Sequence, residues 1–333
     1  MIRIGVIGYG YWGPNIVRNL RSLEGCQVAA VCDQSPAARK RIGQAHPDLR
    51  VTSEPAELLT SAAIDAVAVV TPVSTHFELG KAALQNGKHL FMEKPFTSTT
   101  QQAEELIELA AQKNLTIMVD HTFLFTGAVR KIRQLIDEGV LGDLYYYDST
   151  RVNLGLFQHD VSVIWDLAPH DLSIIDFLIQ SKPEAVLATG QAHLNGLVDV
   201  AFITIYFPNN TIAHLNVNWL SPVKVRTTLI GGEKRMLVWN DLEADEKLKV
   251  YDKGVEMTNG QGLYDLLVSY RSGDMWAPRV EQTEALRVEL GHFLDCVTNG
   301  RTPINDGAAG LRVVQILEAA DQSLKASGRA IEL

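Results

Sequence analysis

The chain has 333 residues with a formal net charge of −9, and 46% of its residues are hydrophobic and 21% charged, which excludes a disordered chain and favours two folded domains. Nucleic acid is disfavoured as the main partner, because binding to phosphate needs clustered Lys and Arg and the sequence has no basic stripe. No apolar run approaches the roughly 18 residues that span a bilayer, and three cysteines without a CxxC pair are typical of reduced thiols, so we expect a cytoplasmic protein without a membrane partner.

The N-terminal part of the chain alternates short apolar runs with helical patterns. Runs rich in Val, Ile and Ala predict strands over 2–7, 27–32, 66–70, 89–92 and 116–119. Helix candidates lie between them, over 14–23, 36–45, 75–86 and 99–113. Apolar strands that each lead into a helix are typical of a parallel sheet covered on both faces. The sequence therefore predicts an α/β fold in which residues 1–122 form a doubly wound Rossmann domain.

A glycine-rich run follows the first predicted strand directly. Gly8, Gly10 and Gly13 form the pattern G-x-G-x-x-G, with Tyr11 and Trp12 between the last two, ahead of a predicted helix. In this context the first glycine permits a tight turn, the second lets a pyrophosphate approach the backbone, and the third allows close helix–strand packing. We interpret the run as a cofactor-binding turn that includes Tyr11 and Trp12; the alternative is a glycine turn that binds nothing.

Asp33 indicates which dinucleotide the turn would bind. It lies 20 residues after Gly13, at the end of the second predicted strand. A carboxylate there accepts hydrogen bonds from the adenosine ribose hydroxyls and repels a 2′-phosphate, which favours NAD over NADP. Arg39, Lys40 and Arg41 follow closely and keep NADP open as the alternative, because they could receive such a phosphate.

From residue 123 onward the pattern changes to consecutive strands. Strand-like runs with short turns cover 144–152, 185–193, 200–207, 211–219, 224–230, 235–240 and 248–251, and helices are predicted over 128–138, 170–180, 281–297 and 307–326. This order predicts that residues 123–333 form a second α/β domain with a large, mostly antiparallel open sheet. So few helices cover one face only, and the other face would carry apolar and aromatic residues such as Phe202, Tyr206 and Trp219, or their alternating neighbours. We therefore expect a homodimer or homotetramer formed through the open sheet.

Further motifs occur in a fixed order along nearly the whole chain. They are Thr71-Pro72 with His76, Gly87-Lys88-His89, Glu93-Lys94-Pro95, Trp165-Asp166-Leu167-Ala168-Pro169-His170-Asp171, Phe293-Leu294-Asp295-Cys296 and Asn299-Gly300-Arg301-Thr302-Pro303. Together with the glycine turn, this series resembles the Gfo/Idh/MocA family, named for glucose–fructose oxidoreductase, inositol dehydrogenase and a rhizopine-catabolism protein. The chain departs from the family at Ala168-Pro169, where relatives often carry glycine, but the spacing of Asp166 and His170 is kept.

The resemblance implies hydride transfer between a nicotinamide cofactor and a secondary alcohol or its ketone, usually on a sugar, a cyclitol or a sugar nucleotide. Positions beside the cofactor match Thr71, Pro72, His76, Glu93 and Lys94. Lys94 also matches the family's lysine beside the nicotinamide, and Asp166 with His170 matches its D-x-x-x-H pair, one or both of which relay the proton. Whether Lys94 or His170 accepts that proton stays open.

The local sequence adds alternatives for these residues. Lys94 follows a parallel strand's carboxyl end, where open α/β sheets bind ligands, although a solvated surface lysine would fit the same place. Pro169 fits a first helical turn, which would place His170 in that turn and Asp166 just upstream. The alternative for the pair is an Asp166 that caps the helix and a His170 that packs in the core.

Three other residues are candidates for binding the substrate. Arg151 and Asn153 end a predicted strand before an irregular connection over 154–165, a place where loops commonly bind ligands. An Arg–carboxylate pair that holds the sheet is an equally good interpretation of Arg151. His121, after the last strand of the first domain, would contact substrate or simply pack. The histidines show no metal-ligand spacing such as HxH or HExxH, so we predict no metal site.

The leading hypothesis is an NAD(H)-dependent dehydrogenase of a ring secondary alcohol, with a nucleotide-linked sugar as the substrate. UDP-N-acetylglucosamine or its uronic acid, oxidised at C3, is the favoured substrate, because the Asn153-Leu154-Gly155 and 165–171 motifs resemble members associated with cell-surface sugar synthesis. A free cyclitol or monosaccharide dehydrogenase of the inositol dehydrogenase type is the first alternative, and a keto-sugar reductase would use the same residues in reverse. A non-catalytic NAD-binding regulator is the alternative of another class.

Overall fold

The computed structural model describes residues 1–155, 158–259 and 266–333. For residues 255–259 and 266–270 it describes the backbone only. The described residues pack as two compact units. The first unit contains residues 1–125 and 283–318, and the second contains residues 126–282 and 319–333. The segment 283–318, which we assigned from its place in the sequence to the second domain, therefore packs with the first unit.

The first unit contains a six-stranded parallel sheet of the order β3-β2-β1-β4-β5-β6. Its strands are β1 Ile2–Ile7, β2 Cys26–Cys32, β3 Arg50–Thr52, β4 Ala66–Val69, β5 His89–Met92 and β6 Ile117–Val119. Its helices are α1 Gly13–Ser22, α2 Pro36–Ala45, α3 Pro55–Leu59, α4 His76–Gln85 and α5 Thr100–Lys113. The predicted doubly wound sheet is confirmed, and the short β3 and α3 are additions to the prediction. The strand order reverses beside β1, so the carboxyl ends of β1 and β4 frame the crevice where such sheets bind ligands.

Two helices from late in the chain complete this unit. They are α8 Ala285–Asn299 and α9 Gly307–Lys325, whose first twelve residues, to Glu318, belong here. Helix α8 packs against α1, and Phe293 meets the Phe91 ring edge-on at 5.7 Å. These contacts form because α8 presents Leu286, Leu290 and Phe293 on one face, at the spacing of an amphipathic helix.

The second unit contains a nine-stranded sheet of the order β14-β13-β12-β11-β7-β10-β9-β8-β15. Its strands are β7 Leu144–Leu154, β8 Ala185–Gln191, β9 Val200–Tyr206, β10 Ile212–Asn218, β11 Leu220–Gly232, β12 Met236–Asn240, β13 Leu248–Asn259, β14 Leu266–Trp276 and β15 Ile331–Glu332. Its helices are α6 Gly127–Asp137 and α7 Val163–Leu178, together with the end of α9. Adjacent strands run antiparallel except for β7 and β10, which confirms the predicted mostly antiparallel sheet.

The two faces of this sheet differ in burial. On β10 the side chains of Ala213, Leu215 and Val217 are fully buried, and their neighbours point to the other face. That other face carries Phe202 and Tyr206, which are 41% and 40% exposed. Trp219 was expected there, but it continues the odd-numbered, buried series and is only 1% exposed. Of the three named residues, Phe202 and Tyr206 therefore lie on the open face and Trp219 does not.

Within the described residues, the helices are all too short or too polar to cross a lipid bilayer.

Candidate active site

The glycine turn has the backbone geometry that a dinucleotide pyrophosphate requires. Gly8 has a φ of +103°, and a Cβ there would lie 2.2 Å from the carbonyl oxygen of Val70. A Cβ on Gly13 would lie 2.4 Å from the Gly8 carbonyl oxygen, whereas a Cβ on Gly10 would meet no described atom within 4 Å. Gly8 and Gly13 are therefore required by packing, and Gly10 borders open space that a phosphate could enter.

The start of helix α1 is open to an anion. Trp12 is the N-cap and makes no side-chain capping bond within the described residues, and the first turn, which includes Pro14, carries no acidic side chain. Tyr11 beside it is 88% exposed. Backbone N–H groups at a helix start attract phosphate, both by hydrogen bonding and through the helix dipole. The residues present therefore fit NAD, which Gly8–Gly13 and the α1 N-terminus would hold by its pyrophosphate.

Asp33, the first residue after β2, is bonded into the same turn. Its Oδ2 accepts from the Tyr9 N–H over 2.7 Å and its Oδ1 from the Ser35 N–H over 2.8 Å. A carboxylate has about four acceptor sites, so capacity remains for ribose hydroxyls. Arg39 donates to the Asp33 carbonyl over 2.9 Å and Arg41 donates to the Tyr9 carbonyl over 3.1 Å. Both guanidinium groups thus already bind the backbone, which weakens the case for a 2′-phosphate site.

His76 connects two loops at this edge of the sheet. It is fully buried, with Nδ1 2.9 Å from the Pro95 carbonyl oxygen and Nε2 2.8 Å from the Thr71 carbonyl oxygen. Burial lowers the pKa of His76, and the two carbonyl oxygens oppose that shift. The side chain therefore ties the Thr71-Pro72 loop, in which Pro72 is exposed, to the loop after β5. These two hydrogen bonds hold both loops in position.

Strands β5 and β6 bring two acidic residues side by side. Met92 and Val119 are paired in register and each ends its strand, so Glu93 and Asp120 follow at the same edge. Burial first, and the charge of Asp120 second, raises the pKa of Glu93 well above its usual range. Lys94 comes next in the chain and is half-buried. Sequence reasoning assigned no role to Asp120, although a charged residue directly after an apolar strand end was visible.

His121 lies beside this group and is sealed from solvent. It is 1% exposed, and neither ring nitrogen has a hydrogen-bond partner among the described residues. Burial, with a smaller contribution from the charge of Lys94, lowers the pKa of His121 to about 3. The imidazole is therefore neutral at physiological pH and too weakly basic to compete for a substrate proton. Its predicted contact with substrate stays a prediction.

In the second unit, Asp166 and His170 share one face of helix α7. The helix begins at Val163, so the predicted start near His170 was wrong and Pro169 lies inside the helix. Asp166 is in the first turn and His170 in the second, at the i, i+4 spacing that places two side chains together. The Trp219 indole donates to Asp166 Oδ2 over 3.2 Å. Trp219, which sequence reasoning placed elsewhere, thus orients the acidic member of the pair.

Arg151 is part of a buried cluster between β7 and α7. Its Nε donates to Asp171 Oδ2 over 2.6 Å, and the two side chains are 6% and 1% exposed. Ser149 Oγ and Tyr147 OH also donate to Asp171, over 2.7 and 3.3 Å. Burial disfavours the charged guanidinium, but the carboxylate outweighs this effect and the pKa of Arg151 is raised. The structure thus places Arg151 in a pair that holds helix to sheet, the second of the two interpretations of this residue.

Asn153 lies on the same strand face as Arg151, two residues on, and is half-buried. The connection predicted over 154–165 is shorter than expected, because β7 continues to Leu154 and α7 begins at Val163. Residues 156 and 157 of that connection lie outside the described residues. A substrate contact by Asn153 stays a prediction.

The predicted residues lie in both units. The carboxyl edge of the six-stranded sheet brings together the predicted cofactor residues, Lys94 and His121, while in the second unit helix α7 carries Asp166 and His170 and strand β7 carries Arg151 and Asn153. In the part of the chain that the structure describes, no group of three or more His, Cys, Asp or Glu side chains has a geometry that could hold a metal ion.

Comparison with known proteins agrees with this arrangement. The chain is 29% identical over 322 residues to a UDP-N-acetylglucosamine 3-dehydrogenase of Acidithiobacillus ferrooxidans, with 94% of each protein covered. It is 26% identical over 318 residues to a scyllo-inositol 2-dehydrogenase (NAD⁺) of Bacillus subtilis, with 91% of this chain and 88% of that protein covered.

A solved structure of the Acidithiobacillus ferrooxidans UDP-N-acetylglucosamine 3-dehydrogenase superposes with a TM-score of 0.80 at 27% identity, covering 98% of each chain. Residues 2–121 match the model of the oxidoreductase family with an NAD-binding Rossmann fold, and residues 129–238 match the C-terminal domain model of the same family. The chain is thus an NAD-binding oxidoreductase, and it belongs to the Gfo/Idh/MocA family.

Proposed function

We propose that this oxidoreductase is an NAD(H)-dependent dehydrogenase that interconverts a ring secondary alcohol and a ketone on a nucleotide-linked sugar. The observation that carries the proposal is the set of residues at the carboxyl edge of the six-stranded sheet. There the open glycine turn, Asp33 and Lys94 follow strands of one sheet. NAD, when bound, supplies the nicotinamide C4 that accepts the hydride.

The protein's own residues would handle the proton. Lys94, at the strand end, and His170, on the helix face that it shares with Asp166, are the groups we assign to proton relay. Asp166 is held by the Trp219 indole and would orient His170 or a substrate hydroxyl. Variants of Lys94 and His170 distinguish which of the two residues takes the hydroxyl proton first.

The substrate we favour is UDP-N-acetylglucosamine or its uronic acid, oxidised at C3. The support is the similarity to a UDP-N-acetylglucosamine 3-dehydrogenase over 94% of both chains. A free cyclitol is the second candidate, supported by the similarity to scyllo-inositol 2-dehydrogenase.

The oligomer is also a proposal. The open face of the nine-stranded sheet presents Phe202, Tyr206 and Ile212, each more than a third exposed. A surface of this kind is stabilised when a second copy covers it, so we propose a homodimer or homotetramer through this sheet. The cytoplasmic location stays a prediction.

The test measures NADH appearance by absorbance when the protein meets NAD and a substrate panel. The panel contains UDP-N-acetylglucosamine, its uronic acid, other nucleotide sugars, free hexoses and inositols. We expect turnover with nucleotide sugars. Activity confined to inositols would show that the substrate is a free cyclitol and not a nucleotide-linked sugar. If NADH binds but no substrate gives NADH, a keto-sugar reductase or a non-catalytic regulator is favoured.

Two lysine variants test the proton assignment. Lys94→Ala should keep NADH binding and reduce turnover by about 10²–10⁴-fold, the usual effect of losing a general acid–base group. Lys113→Ala, which changes an exposed lysine of α5, should leave both unchanged. Comparison of the pH–rate profiles of Lys94→Ala and His170→Ala, with Lys113→Ala as the control, shows which of Lys94 and His170 takes the proton first. Undiminished activity of Lys94→Ala would refute its assignment.

A further inference from the structure

A buried cluster of carboxyl groups lies under the loop that carries Lys94. Asp120 is 2% exposed and Glu289, from helix α8, is fully buried. Asp120 makes side-chain hydrogen bonds with Glu93 and with Glu289.

Protonation of carboxyl groups lowers the charge that is buried in this cluster. A hydrogen bond between two carboxyl groups needs a proton on one of them, and the Oε2 atoms of Glu93 and Glu289 are buried with no donor among the described residues. Burial, and then the charge of Asp120, raises the pKa of both glutamates well above the usual range, although Lys94 partly opposes this for Glu93. We therefore describe Glu93 and Glu289 as carboxylic acids.

Both oxygens of the Asp120 carboxyl group accept a hydrogen bond. The Trp12 indole donates to Oδ2 over 3.0 Å, and the Thr122 hydroxyl donates to Oδ1. The protonated carboxyl groups of Glu93 and Glu289 would be the donors of their hydrogen bonds to Asp120. Asp120 is thus a buried carboxyl group with a donor on each of its two oxygens.

The donors come from separate parts of the cofactor site. Trp12 is the N-cap of α1 in the phosphate-binding turn, and Glu93 directly precedes Lys94. Behind them, Asn305 Nδ2 donates to Glu289 Oε1 over 3.0 Å and to the Val119 carbonyl over 2.6 Å. One carboxyl group therefore joins the turn at β1 to the loop after β5, across β4, the strand that lies between them in the sheet.

We propose that Asp120 is a positioning residue of the cofactor site, which fixes the phosphate-binding turn relative to the Lys94 loop through Trp12 and Glu93, with Glu289 as its supporting acid. This inference rests on the proposed function only in that the site binds NAD(H). Its effect is preorganisation: a ligand that spans the turn and the Lys94 loop meets both already in place.

The experiment compares two ligands of different reach by calorimetry. NADH spans the phosphate turn and the nicotinamide position, whereas ADP-ribose lacks the nicotinamide. Asp120→Asn and Trp12→Phe should each weaken NADH binding by about tenfold, as for loss of a buried hydrogen bond, and should weaken ADP-ribose binding clearly less. The double variant should bind NADH no more weakly than Asp120→Asn alone, because the two residues act as one unit.

Two control variants test whether Glu289 is protonated and whether the effect of Asp120→Asn is specific to that position. Glu289→Gln keeps the shape of a protonated carboxyl and should bind NADH within about twofold of the wild type, since an amide also donates to Asp120. Asp295→Asn makes the same change as Asp120→Asn on the exposed side of α8 and should have no effect. Where Asp120→Asn does not fold, the Trp12→Phe and Glu289→Gln pair carries the test.

The outcomes are distinguishable. Equal losses for NADH and ADP-ribose would overturn the proposal in favour of a merely structural cluster, and unchanged NADH binding in Trp12→Phe would overturn it as well. A large loss in Glu289→Gln would show that Glu289 is ionised and would overturn the charge assignment. If the wild type binds NADH but oxidises no sugar, the proposed function fails while this test still stands.

Discussion

Replacing Arg151 by Met should destabilise the second unit rather than simply weaken substrate binding. The guanidinium and the Asp171 carboxylate meet at 2.6 Å, and both side chains are buried. Removing one member of such a pair leaves an uncompensated charge in the interior, which costs about 3–5 kcal/mol. For a unit of this size a loss of 1 kcal/mol lowers the unfolding midpoint by about 2–4 °C, so we expect a decrease of roughly 6–20 °C.

Scanning calorimetry on three variants tests this reasoning. Arg151→Met and Asp171→Asn should each lower the unfolding midpoint, and the double variant should lower it by less than the sum, because neither charge is then left alone. Glu246→Gln is the control: its pair with Lys249 is 3.2 Å long but Glu246 is 63% exposed, so the change should stay below about 1 kcal/mol.

The refuting result is specific. If Arg151→Met unfolds at the wild-type midpoint but raises KM for a nucleotide sugar, then Arg151 anchors a substrate anion and the ion pair is incidental to stability. If both the midpoint and kcat decrease while KM is kept, Arg151 acts on catalysis through the position of α7.

Three further predictions concern the cofactor turn and the open sheet. Gly13→Ala should destabilise the first unit, since its Cβ would lie 2.4 Å from a carbonyl oxygen, whereas Gly10→Ala should fold normally and lose NADH affinity, because its Cβ enters open space; unfolding midpoints and NADH titration measure both. Asp33→Ser should admit NADPH by removing the carboxylate that repels a 2′-phosphate, and unchanged cofactor selectivity would contradict its role. Phe202→Glu should shift the protein to a smaller species in size-exclusion chromatography with light scattering, because it places charge on the open face where Phe202 is 41% exposed; an unchanged mass would contradict the proposed interface.

The cofactor half of the molecule could be predicted from the sequence because its signals are local. The pattern of Gly8, Gly10 and Gly13 acts within one strand–turn–helix unit, and Asp33 ends the next strand. Each of these positions depends on neighbours close in the chain. The structure therefore altered little about the turn, apart from showing which backbone groups Asp33 already binds.

The start of α7 could not be predicted because packing overrides the usual position of proline. Pro169 lacks the N–H that would bond to the Trp165 carbonyl, so its expected place is the first turn. In the structure Ile164 and Trp165 before it, and Leu172 after it, are buried, and their burial keeps the preceding residues helical. A tertiary contribution of this kind is absent from local propensity.

The carboxyl cluster of Glu93, Asp120 and Glu289 was missed because its members are far apart in the chain, although one signal was present. Glu289 lies within the stripe formed by Leu286, Leu290 and Phe293, where an amphipathic helix is otherwise apolar. An acidic residue in a buried stripe needs donors or protons around it. The sequence can show that such a residue needs partners, but which strand supplies them depends on the fold.

Asp171 shows how a residue of this kind sets the position of a proposed proton-handling pair. Three donors on alternate residues of β7 hold its carboxylate, so helix α7 cannot rotate about its axis without breaking them. At about 100° per residue, His170 and Asp166 point about 100° and 140° away from Asp171 and only about 40° from each other. Fixing one carboxylate against the sheet therefore fixes the direction of both side chains. For this reason Arg151 would influence proton transfer without touching the substrate, and a variant that loses kcat together with stability is the expected signature.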